Sequence, residues 1–332
     1  MKEMFKALEI FETPDGKFGR RVRDFSVDEL PAGDVLIKVD YSSLNFKDAL
    51  SAIGNRGITK RYPHVPGIDA SGVVAESSSD KFKVGDKVIV TGRDLGMDTH
   101  GGFSQYIRVP ADWVVALPEN LTLREAMIFG TAGFTAAACV EEITSHDILP
   151  EHGKVLVTGA TGGVGSFAVS MLARLGYEVT ASTTKPQEKE YLNSLGATEI
   201  IAHTELNGDN VRGLLPRRWV AAVDTVGGRT LNSVLKSLSD RGVVVNCGMV
   251  ESPELHTHVF PFVIRAVKLI GVASAETPYP QRLKLWDRLA SDLKLADLER
   301  FVHETNLEDL SDEINKILRG GQRGRALVKL WQ

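Results

Sequence analysis

Between Val35 and Ala116, apolar and polar residues alternate in short runs broken by glycine and proline. VLIKVDY (Val35 to Tyr41) alternates cleanly, and ASGVVAES follows a Pro-Gly turn. VGDKVIVTG turns at Gly85-Asp86 and enters an apolar run, and GGFSQYIRVPADWVVAL continues in the same manner. A period of two with frequent turn residues predicts short strands and a small β-barrel-like domain. The period changes near Leu123, where REAMIFGTAGFTAAACVEEI has helical spacing. From Val155, strand and helix alternate: VLVTG, SFAVSMLARLG, YEVTAST, PQEKEYLNSLG. The strands EIIAH, VAAVDTVG and GVVVNCG follow, with LNSVLKSL as a helix between the last two, and KLIGVASA closes the series. Alternating strands and helices predict a parallel sheet covered on both faces. From about Thr277 the tail reads as helix and then as the strand-like GRALVKLW.

VLVTGATGGVG (Val155 to Gly165) changes the picture from fold to chemistry. An apolar strand runs into Gly159, Gly162, Gly163 and Gly165, and a helix follows with Val164, Phe167, Ala168, Met171, Leu172 and Leu175 on one stripe. Glycines let the chain turn tightly and bring backbone N–H groups to a pyrophosphate, and the helix N-terminus adds partial positive charge. Thr161, Gly162, Gly163 and Val164 are the candidate cofactor-binding residues of this turn. The next strand ends at Thr183, Thr184 and Lys185. A site for NAD places an acid there to grip the ribose hydroxyls; a hydroxyl and a cation instead suit the 2′-phosphate of NADPH. The other reading of Lys185 is a solvated residue ahead of the helix that Pro186 begins.

The 332 residues are 43% hydrophobic and carry a formal charge of -4. That length suggests two domains, and the charge, with no dense basic run, argues against nucleic acid as the partner. The N-terminal run lacks the apolar core of a signal peptide, and no unbroken apolar run reaches the ~20 residues of a membrane span. A cytoplasmic protein is expected. Its two cysteines, Cys139 and Cys247, read as buried thiols, with one disulfide as the alternative.

SSLNFKDAL (Ser42 to Leu50), PHVPGIDASGVV (Pro63 to Val74), GTAGFTAA (Gly130 to Ala137) and VTGATGGVGSFAV (Val157 to Val169) resemble the acrylyl-CoA reductase and quinone oxidoreductase-like branch of the medium-chain dehydrogenase/reductase superfamily. The resemblance continues through AVDTVGG, FPFVIRAVKLIGVASA and GRALVKL. It implies an α/β protein: a GroES-like, β-rich catalytic domain over residues 1–125, a Rossmann doubly wound parallel sheet over 126–274, and a return of 275–332 to the catalytic domain. The active site is expected in the cleft, and a homodimer is expected through the edge strand KLIGVASA. Zinc-dependent relatives carry an early Cys and a Gly-His-Glu motif; this chain has no early Cys and has Gly67, Ile68 and Asp69 instead. No metal site is expected, and His64, His100, His256 and His258 form no ligand frame.

The resemblance places Asn45, Phe46 and Lys47 near the nicotinamide as the candidate catalytic set, with Phe46 also touching the cofactor. Thr135, Thr225, Met249 and the stretch Val272, Ala273 and Ser274 complete the cofactor site, the last offering backbone groups to the carboxamide. The alternatives are plain: Thr135 as helix packing, Phe46 as a core aromatic, Lys47 and Asp48 as a solvated pair. Relatives often have Tyr at the place of Phe46, and phenyl cannot donate a proton. The expected function is NADPH-dependent reduction of an activated carbon–carbon double bond in a short enoyl-CoA such as acrylyl-CoA. The alternatives are a quinone reductase and a non-catalytic NADPH-binding protein. Arg56, Lys60 and Arg61 are candidates for the CoA phosphates or else form a basic surface loop.

Overall fold

Residues 4–208 and 211–331 are described by a computed structural model; residues 1–3, part of the run read above for a leader, lie outside them. The chain divides into two compact units. The first contains residues up to Thr131, Ala275–Ser291 and the chain from Ala296 on; the second contains Ala132–Ser274 and Asp292–Leu295.

The first unit opens with a hairpin of β1 (Met4–Glu12) and β2 (Phe18–Ser26). A sheet follows from β3 (Val35–Ser43), β4 (Asp69–Ser77), β5 (Lys87–Thr91), β6 (Tyr106–Val109) and β7 (Val114–Ala116), with the short helix α1 (Phe46–Ser51) after β3. β3 pairs antiparallel with both β4 and β6, and β4 continues through β5 to β7. The alternation read from Val35 onward puts Val35, Ile37 and Val39 in the core with Phe103, Ile107 and Val109. Burying such side chains stabilises the fold by about 1.5–3 kcal/mol each.

The segment with helical spacing becomes α2 (Leu123–Ser145), which is two helices separated by non-helical backbone at Gly130 (φ 49, ψ -156). By length and composition it resembles a membrane span, yet 83% of its most apolar window is buried inside the protein.

The second unit is a six-stranded parallel sheet of β8 (Val155–Val157), β9 (Val179–Thr183), β10 (Ala197–Ala202), β11 (Trp219–Asp224), β12 (Leu238–Asn246) and β13 (Lys268–Gly271). Their order is β10-β9-β8-β11-β12-β13, so the chain reverses direction across the sheet next to β8. α3 (Gly163–Arg174), α4 (Lys189–Ser194) and α5 (Gly228–Ser237) lie between successive strands, and α6 (Phe260–Arg265) precedes β13. Val243, Val244 and Val245 on β12 are all fully buried, as a strand covered on both faces requires. α5 buries Leu231, Val234 and Leu235, the i, i+3, i+4 stripe of an amphipathic helix.

The tail returns to the first unit through α7 (Tyr279–Leu289), β14 (Val302–Thr305), α8 (Leu310–Leu318) and β15 (Arg325–Lys329). β15 pairs antiparallel with β3 and parallel with β14.

Candidate functional site

The glycine-rich turn joins β8 to α3, and its glycines are there for measurable reasons. Gly159 takes φ +59, and a Cβ on it would stand 2.3 Å from Thr225 Oγ1. A Cβ on Gly165 would stand 2.4 Å from the Gly159 carbonyl oxygen, so α3 could not begin so close to the turn with any side chain there. Gly162 caps α3, and a Cβ there would meet only the Gly159 carbonyl oxygen, at 3.3 Å. The turn is tied to β9 by the Ala160 N–H, which donates to the Ser182 carbonyl at 3.0 Å. Thr161 is buried with its hydroxyl 3.4 Å from that of Thr183. Thr183 accepts from the Lys185 N–H at 2.9 Å. Thr184 is exposed and Lys185 half-buried, and no acid occupies this strand end. Ser182, which the sequence did not single out, is fully buried on β9 and its hydroxyl has no hydrogen-bond partner among the described residues.

Thr225 follows β11 and donates its hydroxyl to the Thr158 carbonyl at 3.0 Å. Beneath it, buried Asp224 accepts from Thr158 Oγ1 at 2.7 Å, Asn246 Nδ2 at 2.8 Å and the Gly227 N–H at 2.8 Å. Burial pushes its carboxyl up while these bonds pull it down. Asp224 thereby ties the carboxyl ends of β8, β11 and β12 together, where open parallel sheets bind ligands. Met249 is exposed just beyond β12. Thr135 is buried and its hydroxyl donates to Ser274 Oγ at 2.8 Å, so two candidates from distant segments meet. Ala273 is exposed and half-buried Val272 precedes it, but the Val272 N–H already donates to the Asn246 carbonyl at 2.9 Å. That N–H is thus taken up within the sheet. Cys139 and Cys247 are free thiols, and the hydrogen bond with Cys247 first, then burial, pushes the Cys139 thiol up.

In the first unit, Asn45 lies just beyond β3 and caps α1. Its Nδ2 donates to Asp69 Oδ2 at 2.7 Å and to the Ser43 carbonyl at 3.1 Å, and its Oδ1 accepts from Arg325 Nη1 at 3.0 Å. A carboxamide has two N–H groups, and both are spent. Asn45 therefore holds the chain in place, with no side-chain N–H left over for a substrate oxygen. Asp69, wholly buried, also accepts from Ser43 Oγ at 2.7 Å and from the Thr131 amide and hydroxyl at 2.9 and 2.5 Å. Arg325 Nη2 lies 3.4 Å away. Asp48, half of a solvated pair on the alternative reading, is instead buried and accepts from the backbone N–H groups of Asn45, Gly67 and Ile68. Desolvation first, then the Asp69 charge, pushes its carboxyl up to about 7. Phe46 is 41% exposed, so the core-aromatic reading does not hold, and Lys47 beside it is exposed.

Ile68 offers no lone pair and is buried, and both Asp69 oxygens are engaged. Among the described residues no three His, Cys, Asp or Glu side chains converge as metal ligands. Of the basic loop, Arg56 pairs with Glu12 at 2.7 Å and Lys60 with Asp98 at 3.4 Å, so two of its three charges are met locally; Arg61 is exposed.

Residues 31–119 match the alcohol dehydrogenase GroES-like domain, and residues 163–291 match the zinc-binding dehydrogenase family. The chain is 44% identical to acrylyl-CoA reductase AcuI of Ruegeria pomeroyi, covering 98% of this chain and 99% of that one. It is 42% identical to the putative quinone oxidoreductase YhfP of Bacillus subtilis, over 99% and 100% of the two chains. The crystal structure of Bacillus subtilis yhfP with NAD bound has a TM-score of 0.96 to this chain, over 99% and 100% of the two chains at 42% identity. The Salmonella enterica yhdH oxidoreductase in complex with NADP has a TM-score of 0.95, over 98% and 100% at 41% identity. With a GroES-like unit, a six-stranded Rossmann sheet and these full-length likenesses, the chain belongs to the acrylyl-CoA reductase and quinone oxidoreductase-like branch of the medium-chain dehydrogenase/reductase superfamily.

Proposed function

We propose that this enzyme reduces the activated double bond of a short enoyl-CoA such as acrylyl-CoA, using NADPH. The observation that carries this reading is the 44% identity, over nearly the whole of both chains, to an acrylyl-CoA reductase. Thr161, Gly162, Gly163 and Val164 would hold the pyrophosphate, Thr183, Thr184 and Lys185 the 2′-phosphate, and Thr225 and Met249 the nicotinamide half. The uncrowded face of Gly162 and the orphaned Ser182 hydroxyl fit such a ligand. When bound, NADPH supplies a hydride to the β-carbon of the substrate. Negative charge then develops on the thioester oxygen, and preorganised donors stabilise it. Asn45 has none to spare, so its part is to fix the junction of β3 and α1 from which Phe46 and Lys47 project. Phe46 presents an apolar face, and the exposed Lys47 ammonium supplies the donor to that oxygen or the proton at the α-carbon. We further infer a cytoplasmic homodimer.

The test is steady-state kinetics with NADPH and, in parallel, acrylyl-CoA, a simple enone and a quinone. Efficient reduction of the thioester is expected. Turnover of the quinone without the thioester would favour the second reading, a quinone reductase, which the likeness to YhfP supports.

A further inference from the structure

The loop after β5 carries an arginine in an unfavourable conformation. Gly92 and Arg93 have φ of 67 and 55, left-handed backbone that an L side chain avoids. Long-range bonds enforce it: the Gly92 N–H donates to the Ile68 carbonyl at 2.9 Å and the Arg93 N–H to the Ala275 carbonyl at 3.2 Å. Arg93 is thus held next to the Ile68–Asp69 segment, within the first unit.

Its guanidinium is largely buried but poorly matched. The side chain is 20% exposed, Nη2 donates to the Thr277 carbonyl at 3.2 Å, and Nη1 stands 3.6 Å from the exposed carboxylate of Glu276. The Nε–H is buried with no hydrogen-bond partner among the described residues. A second guanidinium, Arg282, is 1% exposed and bonds to Thr91 and the Ala275 carbonyl. Burial first, and then the like charge of Arg93, lowers it to about 10. Asp69 also acts on Arg282, but its oxygens are already shared among Ser43, Asn45, Thr131 and Arg325. Asp112, which senses Arg93, is ion-paired with Lys81. Arg93 thus lies close enough to a second guanidinium to feel its charge, with the exposed Glu276 beside it. Such a region attracts an anion, and a planar fork with spare N–H groups suits phosphate oxygens.

We propose that Arg93 is a specificity-determining residue that binds a phosphate of the substrate's CoA moiety. The inference rests on the enoyl-thioester reading above and deepens it. It replaces Arg56 and Lys60, whose charges are met locally, with a cation held next to the Asp69 network.

The experiment compares acrylyl-CoA with acrylyl-pantetheine, a thioester of the same acyl group without phosphates. In Arg93→Gln the ratio of kcat/KM for acrylyl-CoA to that for acrylyl-pantetheine should fall at least tenfold. Arg93→Lys should recover part of it. Arg93→Gly, which suits the left-handed backbone and so should keep the loop folded, should show the same fall as Arg93→Gln. An unchanged ratio in Arg93→Gln and Arg93→Gly overturns the assignment, as does an equal loss on both thioesters, which would mark Arg93 as a structural clamp. Failure of the unmodified enzyme to reduce acrylyl-CoA overturns the enoyl-thioester reading itself, before any variant is compared.

Discussion

Two buried carboxylates of the first unit, Asp69 and Asp48, sit in different surroundings. Asp69 faces side-chain donors and a guanidinium, whereas Asp48 faces backbone N–H groups and the charge of Asp69. Asp48 is pushed from 3.8 up to about 7, so the folded chain holds its proton where the unfolded chain has lost it. The stability this group contributes is complete below 3.8 and is lost as pH rises through about 7. The slope reaches about 1.4 kcal/mol per pH unit. Asp48→Asn cannot titrate, so the unfolding free energy of wild type relative to this variant should fall between about pH 4 and pH 7 along that slope. Urea titrations across that range measure it, and parallel curves for the two proteins would count against a raised Asp48. In the second unit, Lys185→Ala should weaken NADPH more than NADH by about 1.5–3 kcal/mol, one charge-assisted hydrogen bond. The Bacillus subtilis relative solved with NAD makes the comparison pointed. Equal losses for both cofactors, measured by fluorescence titration, would show that Lys185 does not meet the 2′-phosphate.

At the scale of elements, periodicity carried the reading a long way. The strand–helix alternation from Val155 predicts β8 to β13 in order, because each is a short apolar run and each turn is marked by Gly, Pro or a polar run. It could not show the break in α2. REAMIFGTAGFTAAACVEEI has helical spacing on both sides of Gly130, and its glycines alone, which only weaken a helix, do not fix where it breaks. The cause is tertiary: a Cβ on Gly130 would lie 2.5 Å from Asp69 Oδ2 and 2.5 Å from Ser43 Oγ. The same limit hid the saturation of Asn45, whose partner Arg325 is 280 residues away, and the burial of Asp48. Spacing tells which residues share a face; it does not tell which atoms meet across the chain. Gly130→Ala therefore tests the element directly. Overpacking and a positive φ together should cost about 2–4 kcal/mol. A loss below about 0.5 kcal/mol in denaturant unfolding, the range of an inert surface change, would mean that the network yields to the methyl group.

For the whole molecule, the second unit leaves an unfinished surface. β13 ends the sheet order, and its residues are exposed or half-buried. Leu269 on it is 36% exposed, and the residues leading into it carry large apolar side chains in the open: Met249 at 68%, Val259 at 67%, Val263 at 78% and Ile264 at 61% exposure. Single exposed apolar residues are ordinary, but this many within one short stretch beside an open strand are a place for association. Pairing β13 with the same strand of a second copy would satisfy the edge N–H and C=O groups and cover these side chains by one two-fold contact. The chain should accordingly run in light scattering at twice its 36.2 kDa mass. Replacing Ile264 with Glu and Leu269 with Lys places charges where the two copies would meet, and should yield monomers that keep the far-ultraviolet circular dichroism of the parent. Dilution should separate wild-type dimers only at far lower concentration than the variant, since burying each such side chain contributes about 1.5–3 kcal/mol when complete. A wild-type protein that is monomeric at micromolar concentration would show that this edge is covered in some other way.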